Sequence, residues 1–129
     1  MKRNTTEVGA FGENICKNYL TNKGYNIIES NYYSRYGEID IIASNDRYLS
    51  FVEVKTRSKY SITKGWEAIG KIKIQKIIKT AVQFLTHNNF NLQPRFDVCE
   101  VYIIKDLYKQ KYSVHNINYI ENAFDLNSI

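Results

Sequence analysis

Two segments in the middle of the chain, Tyr36 to Ala43 and Tyr48 to Arg57, read as β-strands, and Ser44-Asn45-Asp46-Arg47 between them has turn chemistry. A hairpin follows, and its charge pattern constrains the fold more than any other feature. Strand side chains alternate faces. Alternation groups Glu38, Asp40 and Ile42 on one face of the first strand, with Ile39, Ile41 and Ala43 opposite. In the second strand it groups Phe51, Glu53, Lys55 and Arg57, with Val52 and Val54 opposite. Charges placed among the most apolar residues of a chain destabilise it by several kcal/mol each, as an order of magnitude, unless something compensates. A divalent cation would. A turn centred near Asp46 and Arg47 sets Asp40 across from Glu53, and a turn one residue earlier sets them diagonal. Either register lets the two carboxylates share an ion. One carboxylate from each of two strands is the minimum oxygen set for Mg2+, which keeps several of its waters. Lys55 points into the same pocket, where it can hold a water or neutralise a phosphate.

A helix is expected to begin near Asn4, with Glu7 completing a capping-box-like pattern. Val8, Phe11, Ile15 and Tyr19 form its apolar stripe, and Gly24 ends it. Glu13 falls on a flank with Gly9, Cys16 and Leu20, and Gly9 and Gly12 allow close approach to a sheet. An acid there can reach the metal pocket. Tyr25 to Asn31 reads as a strand. A long helix is expected over Gly65 to Leu85, with an apolar stripe beside a basic one containing Lys73 and Lys76. Arg95 to Lys105 and Lys111 to Ile117 read as strands, and Glu121 to Phe124 as a last helical turn. The order is α-β-β-β-α-β-β, which fits an α/β fold with a mixed central sheet flanked by helices on both sides.

Length and composition narrow the function. The 129 residues suit one domain, residues 1–129. Lysine and arginine number 18 against 13 acids, a net charge of +5, which suggests a polyanionic partner. No apolar run is long enough to cross a bilayer, and the N-terminus lacks the apolar stretch of a signal peptide. Cys16 and Cys99 have no CxxC spacing, which argues against a structural zinc site or a disulfide framework. A reducing cytoplasm is the expected location. Each feature has a plainer explanation when taken alone: a lone helix glutamate is usually solvated, and a lysine run is usually a solvated helix face. His87 and His115 have no partner spacing. The coincidence of the acids on adjacent strands in a basic chain is what points to chemistry.

Gly12-Glu13, Gly37-Glu38-Ile39-Asp40, Phe51-Val52-Glu53-Val54-Lys55-Thr56-Arg57 and Arg95-Phe96-Asp97 together resemble the YraN-like family of bacterial proteins, from about Gly9 to Phe124. That family is similar to the restriction-endonuclease-like, PD-(D/E)xK nuclease superfamily and, within it, to the archaeal Holliday junction resolvases. The resemblance implies a restriction-endonuclease-like fold. It matches Glu13 to the helix-one glutamate, Asp40 and Glu53 to the metal-binding acids, and Lys55 to the catalytic lysine. It also implies the backbone carbonyl of Val54 as a further metal ligand and matches Lys73 to a lysine on the second long helix. Tyr33 departs from the family's usual basic residue, although Arg35 is present, and Cys16 replaces a small residue.

The function implied is Mg2+- or Mn2+-dependent hydrolysis of phosphodiester bonds in DNA, with selectivity for branched or single-stranded forms as a further expectation. In it Asp40 and Glu53 hold the metal, Lys55 orients the attacking water, and Glu13 completes the ion's water shell. Arg35, Arg57, Lys71, Lys73 and Lys76 meet backbone phosphates, so binding should weaken steeply with salt. By analogy with resolvases, a homodimer is expected. Two other readings stay open: a nucleic-acid-binding module that cuts nothing alone, and an RNA-processing nuclease.

Overall fold

The computed structural model describes residues 6–61, 69–125 and 127. In chain order they form α1 (Glu7–Asn22), β1 (Asn26–Ser34), β2 (Gly37–Ser44), β3 (Tyr48–Ser58), α2 (Lys71–His87), β4 (Gln93–Asp106) and β5 (Lys111–Phe124). This is the expected α-β-β-β-α-β-β order. It is an α/β arrangement consistent with a nuclease-like fold.

The five strands form one sheet in sequence order, β1-β2-β3-β4-β5. β3 and β4 are parallel, and the other neighbours are antiparallel. Parallel neighbours need a crossover, and α2 lies in that crossover. Its face of Ile74, Ile77, Ile78, Ala81 and Phe84 buries Ile39, Ile42, Leu49 and Phe51. α1 covers the opposite face, where Cys16 and Leu20 pack with Ile41, Ala43, Val52, Cys99 and Val101. One layer of helix on each side gives both faces of the central strands an apolar cover.

Local chemistry explains the boundaries. Thr6, not Asn4, caps α1: its Oγ1 accepts the Gly9 N–H at 3.0 Å. Asn4 lies outside the described residues. Gly24, at φ +93°, follows the C-cap Lys23 as expected. The β2–β3 turn is held by Asn45, whose Oδ1 accepts the N–H groups of Arg47 and Tyr48 at 2.9 and 2.7 Å. α2 starts at Lys71, later than expected. Ile69 sits in a bend before its N-cap Gly70, and Trp66 lies outside the described residues. The expected last turn of helix is instead strand. Its residues continue β5, with Phe124 paired to Phe96 and Ile120 to Val98, because their apolar side chains complete the α2-side core.

Strict alternation also breaks within β2. Ile39 packs on the α2 side and Ile41 on the α1 side, although two-residue spacing should place them together. The change of side falls between the pairs Ser30–Ile41 and Tyr32–Ile39, where Asn31 adopts φ +52°, whereas the register shift of this ladder lies between Ile27 and Glu29. Asp40 sits at this point of β2.

Candidate active site

The β2–β3 ladder runs from Ser44–Leu49 to Ile41–Val52. Both strands continue beyond it. The turn is therefore centred between Asp46 and Arg47, and the next facing positions are Asp40 and Glu53. At that point Asp40 turns its carboxylate between the strands, and its Oδ2 accepts the Val54 N–H at 2.8 Å.

Glu53 is 5% exposed. Two lysines approach the same carboxylate oxygen: Lys55 Nζ lies 3.7 Å and Lys73 Nζ 3.5 Å from Oε2. Lys55 comes from the same strand and Lys73 from α2, so Glu53 sits on the face that α2 covers. Burial pushes the Glu53 carboxyl up to about 8. The charge of Asp40 and the hydrogen bond that the Glu53 O–H donates to Asp40 push the same way, while Lys73 and Lys55 oppose them. Near neutral pH Glu53 therefore keeps its proton, which it donates to Asp40.

That proton bears on which ion the site could hold. Two facing carboxylates with one proton between them are a donor set that a hard divalent cation can take over by displacing the proton. Among the described residues, no three His, Cys, Asp or Glu side chains form a metal-holding group. The protein's side-chain ligands would then be Asp40 and Glu53, which fits Mg2+ binding through one or two carboxylates with several retained waters.

Glu13 is buried on α1, in the layer opposite Lys73. Its neighbour Gly12 approaches β3 so closely that a Cβ there would stand 1.8 Å from Thr56 Oγ1. The glycine thus sets Glu13 beside the Val54–Thr56 stretch of β3, as the small-residue flank suggests. Glu13 does not join Asp40 and Glu53 in a three-acid group.

The basic residues do not gather in one place. Lys73 stands at Glu53. Arg35 is exposed at the β1–β2 turn, with one guanidinium nitrogen donating to Tyr36 Oη at 2.8 Å and its carbon 4.9 Å from the ring centre. Lys79 lies 5.6 Å from the same ring, and the Lys76 Cβ would stand 3.3 Å from a Cβ placed on Gly37. Lys71 is exposed in the first turn of α2. Arg57 differs: its side chain is only 13% exposed, with Nε 3.5 Å from Glu100 Oε2.

Asp97 is fully buried and does not join the other acids. Its carboxylate accepts from Arg95 Nε at 2.9 Å and from a terminal Arg95 nitrogen at 2.9 Å. It also accepts from Tyr119 Oη at 2.6 Å and the Asn122 N–H at 3.0 Å. This network ties β4 to β5 on the α1 side of the sheet. Sequence reasoning missed Glu100, a fully buried acid bound by Arg57, Asn118 and Tyr102. Its even spacing from Phe96 and Val98, which face α2, was the available signal.

The model of the family described as uncharacterised protein family UPF0102 matches residues 12–101, from Gly12 into β4. The chain belongs to the UPF0102 family. The matched span of this UPF0102 chain holds Glu13, Asp40, Glu53, Lys55 and Lys73. The UPF0102 protein TTE1452 of Caldanaerobacter subterraneus subsp. tengcongensis is 43% identical over 124 residues, 95% of this chain and 98% of the relative. A UPF0102 protein of Clostridioides difficile is 43% identical over 122 residues, 94% of this chain and 99% of its own length. One from Sulfurihydrogenibium sp. is 42% identical over 122 residues, covering 94% and 96%. Among the described residues of this UPF0102 chain, no helix is long and apolar enough to cross a membrane.

Proposed function

We propose that this UPF0102 chain is a metal-dependent nuclease that hydrolyses phosphodiester bonds in DNA, with preference for branched or single-stranded forms. The observation that carries this reading is the meeting of Asp40 and Glu53 at the end of the β2–β3 ladder, with Lys55 and Lys73 both on Glu53 Oε2. Two facing acids with Lys55 and Lys73 beside Glu53 suit a cation and a phosphate together.

Asp40 and Glu53 would hold Mg2+ or Mn2+, with the Val54 carbonyl and Glu13 (through water) as further ligands. A bound ion supplies Lewis acidity to the phosphoryl oxygen and a more acidic water. Lys55 orients the attacking water. Lys73 offsets negative charge that builds on the phosphoryl oxygens. Arg35, Lys71 and Lys76 contact neighbouring phosphates, and Arg57 acts beside them through its pairing with Glu100. Phosphate contacts of this kind carry no base sequence, so binding falls steeply with salt. A four-way junction offers two equivalent strands, which makes a homodimer the expected assembly, measurable by light scattering.

The test is cleavage of end-labelled four-way junction, flap, single-strand, duplex DNA and RNA in Mg2+, Mn2+ or EDTA, for wild type and Glu53→Ala. Metal-dependent cutting that the substitution abolishes supports the reading, and its substrate preference separates DNA from RNA. A second reading is a binding module that does not cut, because a fold does not by itself establish activity. It predicts salt-sensitive binding with every substrate left intact.

A further inference from the structure

The face of the sheet that carries Glu53 changes character along β3. Successive rungs across β3, β4 and β5 read Glu53–Val98–Ile120, Lys55–Glu100–Asn118 and Arg57–Tyr102–Asn116. The first rung still borders the core under α2, where Val98 and Ile120 pack. The next two are polar throughout. Beside them lies a cleft of about 260 Å3 lined by Lys59, Tyr102, His115, Asn116 and Asn118. Two-residue steps along a strand are roughly 7 Å, so this polar face begins within one step of Glu53.

Glu100 organises this cleft. It is 0% exposed, and burying a carboxylate is unfavourable unless several donors satisfy it. Asn118 Nδ2 donates to its Oε1 at 2.9 Å, Tyr102 Oη donates to its Oε2 at 3.2 Å, and Arg57 Nε lies 3.5 Å from Oε2. With one amide hydrogen committed, Asn118 keeps a second N–H and its carbonyl in a fixed plane. Tyr102 likewise has its hydroxyl proton committed and its ring held at the cleft wall. A held aromatic ring, two amides and a lysine form a combination suited to one nucleotide. Rings stack on bases, amides match the paired donor and acceptor of a base edge, and a lysine meets the phosphate.

We infer that this cleft binds an unpaired nucleotide of the strand whose neighbouring phosphate lies at Glu53 and Lys55. The base rests on Tyr102 with its edge toward Asn116 and Asn118, and Lys59 takes a phosphate. The inference rests on the nuclease reading for the position of that strand, and it names the substrate feature selected: a base free of its partner. Glu100 is a positioning residue, acting through Asn118 and Tyr102.

The test is equilibrium binding by fluorescence anisotropy in the full chain carrying Glu53→Ala, so that nothing is cut. The probes are a labelled single strand, a flapped duplex and a blunt duplex of the same sequence. Two cleft variants are compared in that background: His115→Ala/Asn116→Ala, which leaves the Glu100 partners intact, and Asn118→Ala. The inference expects each cleft variant to weaken single-strand and flap binding about tenfold or more, with blunt-duplex binding changed less than twofold. If His115→Ala/Asn116→Ala binds all three probes as its parent does, or loses all three equally, the cleft is not a nucleotide site and the nuclease reading is untouched. Binding of no probe by the Glu53→Ala parent overturns the inference, and the nuclease reading falls with it only if the Glu53-intact protein cuts nothing. Cutting by the Glu53-intact protein, measured separately, tells these outcomes apart.

Discussion

Gly12 of α1 and Thr56 of β3 touch so closely that the helix has no room for a methyl group: a Cβ on Gly12 would stand 1.8 Å from Thr56 Oγ1 and 3.0 Å from its Cβ. Glu13 is the next residue, so this contact fixes how near the acid comes to β3. Gly12→Ala is expected to cost about 1–3 kcal/mol, the usual range for overpacking. Adding Thr56→Ala should recover part of it, since Oγ1 and Cγ2 are then gone. Urea denaturation of the two single variants and the double would read the coupling. Simple additivity would mean that the two sites do not press on each other.

Glu53 sets the pH dependence of stability. Its carboxyl rises from an ordinary 4.5 to about 8 on folding. Between those values the folded chain keeps a proton that the unfolded chain has released. The associated stability is fully present below pH 4.5 and is lost as pH rises through about 8. The metal-free Tm should therefore fall between pH 5 and 8, and Glu53→Gln should flatten that fall. Mg2+ must displace the proton, so it should raise the Tm more at pH 8 than at pH 6. Equal Mg2+ shifts at both pH values would argue against the Asp40–Glu53 pair as the cation site.

Asp97 is predicted to matter for folding and not for the cation. Asp97→Ala takes from Arg95, which is 7% exposed, its buried carboxylate, leaving it Tyr25 and the exposed Glu121, and removes the acceptor of Tyr119 and Asn122. Breaking a buried ion pair from one side costs about 3–5 kcal/mol. Denaturant unfolding should show that loss, while the Mg2+-induced gain in Tm stays as in wild type. Loss of the Mg2+ effect with little loss of stability would move Asp97 into the site.

The two thiols should be silent in the native state. Cys16 and Cys99 are fully buried and in contact, and the hydrogen bond to Cys99 together with burial pushes the Cys16 thiol well above its ordinary range. The thiolate is the reactive form. Labelling by a thiol-reactive dye should follow global unfolding in urea. Fast labelling of the native protein would contradict the packing of α1 on β4.

Much of this was legible in the sequence because it depends on local spacing. The Asn45 turn, the two-residue period of β3 and the position of Gly24 follow from nearest-neighbour chemistry, and the first two bring Asp40 opposite Glu53. Gly12 beside Glu13 correctly signalled a close helix. Other features depend on partners far along the chain. Lys73 reads as one lysine of a basic stripe, and only the docking of α2 over β3 brings it to Glu53. Asp97, in the Arg95-Phe96-Asp97 segment of the family resemblance, is seen to be structural only once Tyr119 and Asn122, supplied by β5, close around it. The break in alternation at Asp40 has no sign in β2 itself, because the left-handed residue, Asn31, is on the neighbouring strand. The end of β5 reads as a helical turn by composition, and its strand form follows from the apolar faces of Phe96 and Val98.

The parallel pairing of β3 with β4 also places the site in time. A ribosome has made Glu13, Asp40, Glu53 and Lys55 by residue 55, yet β3 is then an open edge with β2 as its sole neighbour. Its second neighbour begins at Gln93, after Lys73 and the whole of α2 have emerged. Non-local parallel pairing is slow to form, and domains acquire their structure as units during synthesis. A nascent chain therefore carries the acids well before it carries the site. With the proposed activity, such a chain would have no assembled site until α2 and β4 have emerged.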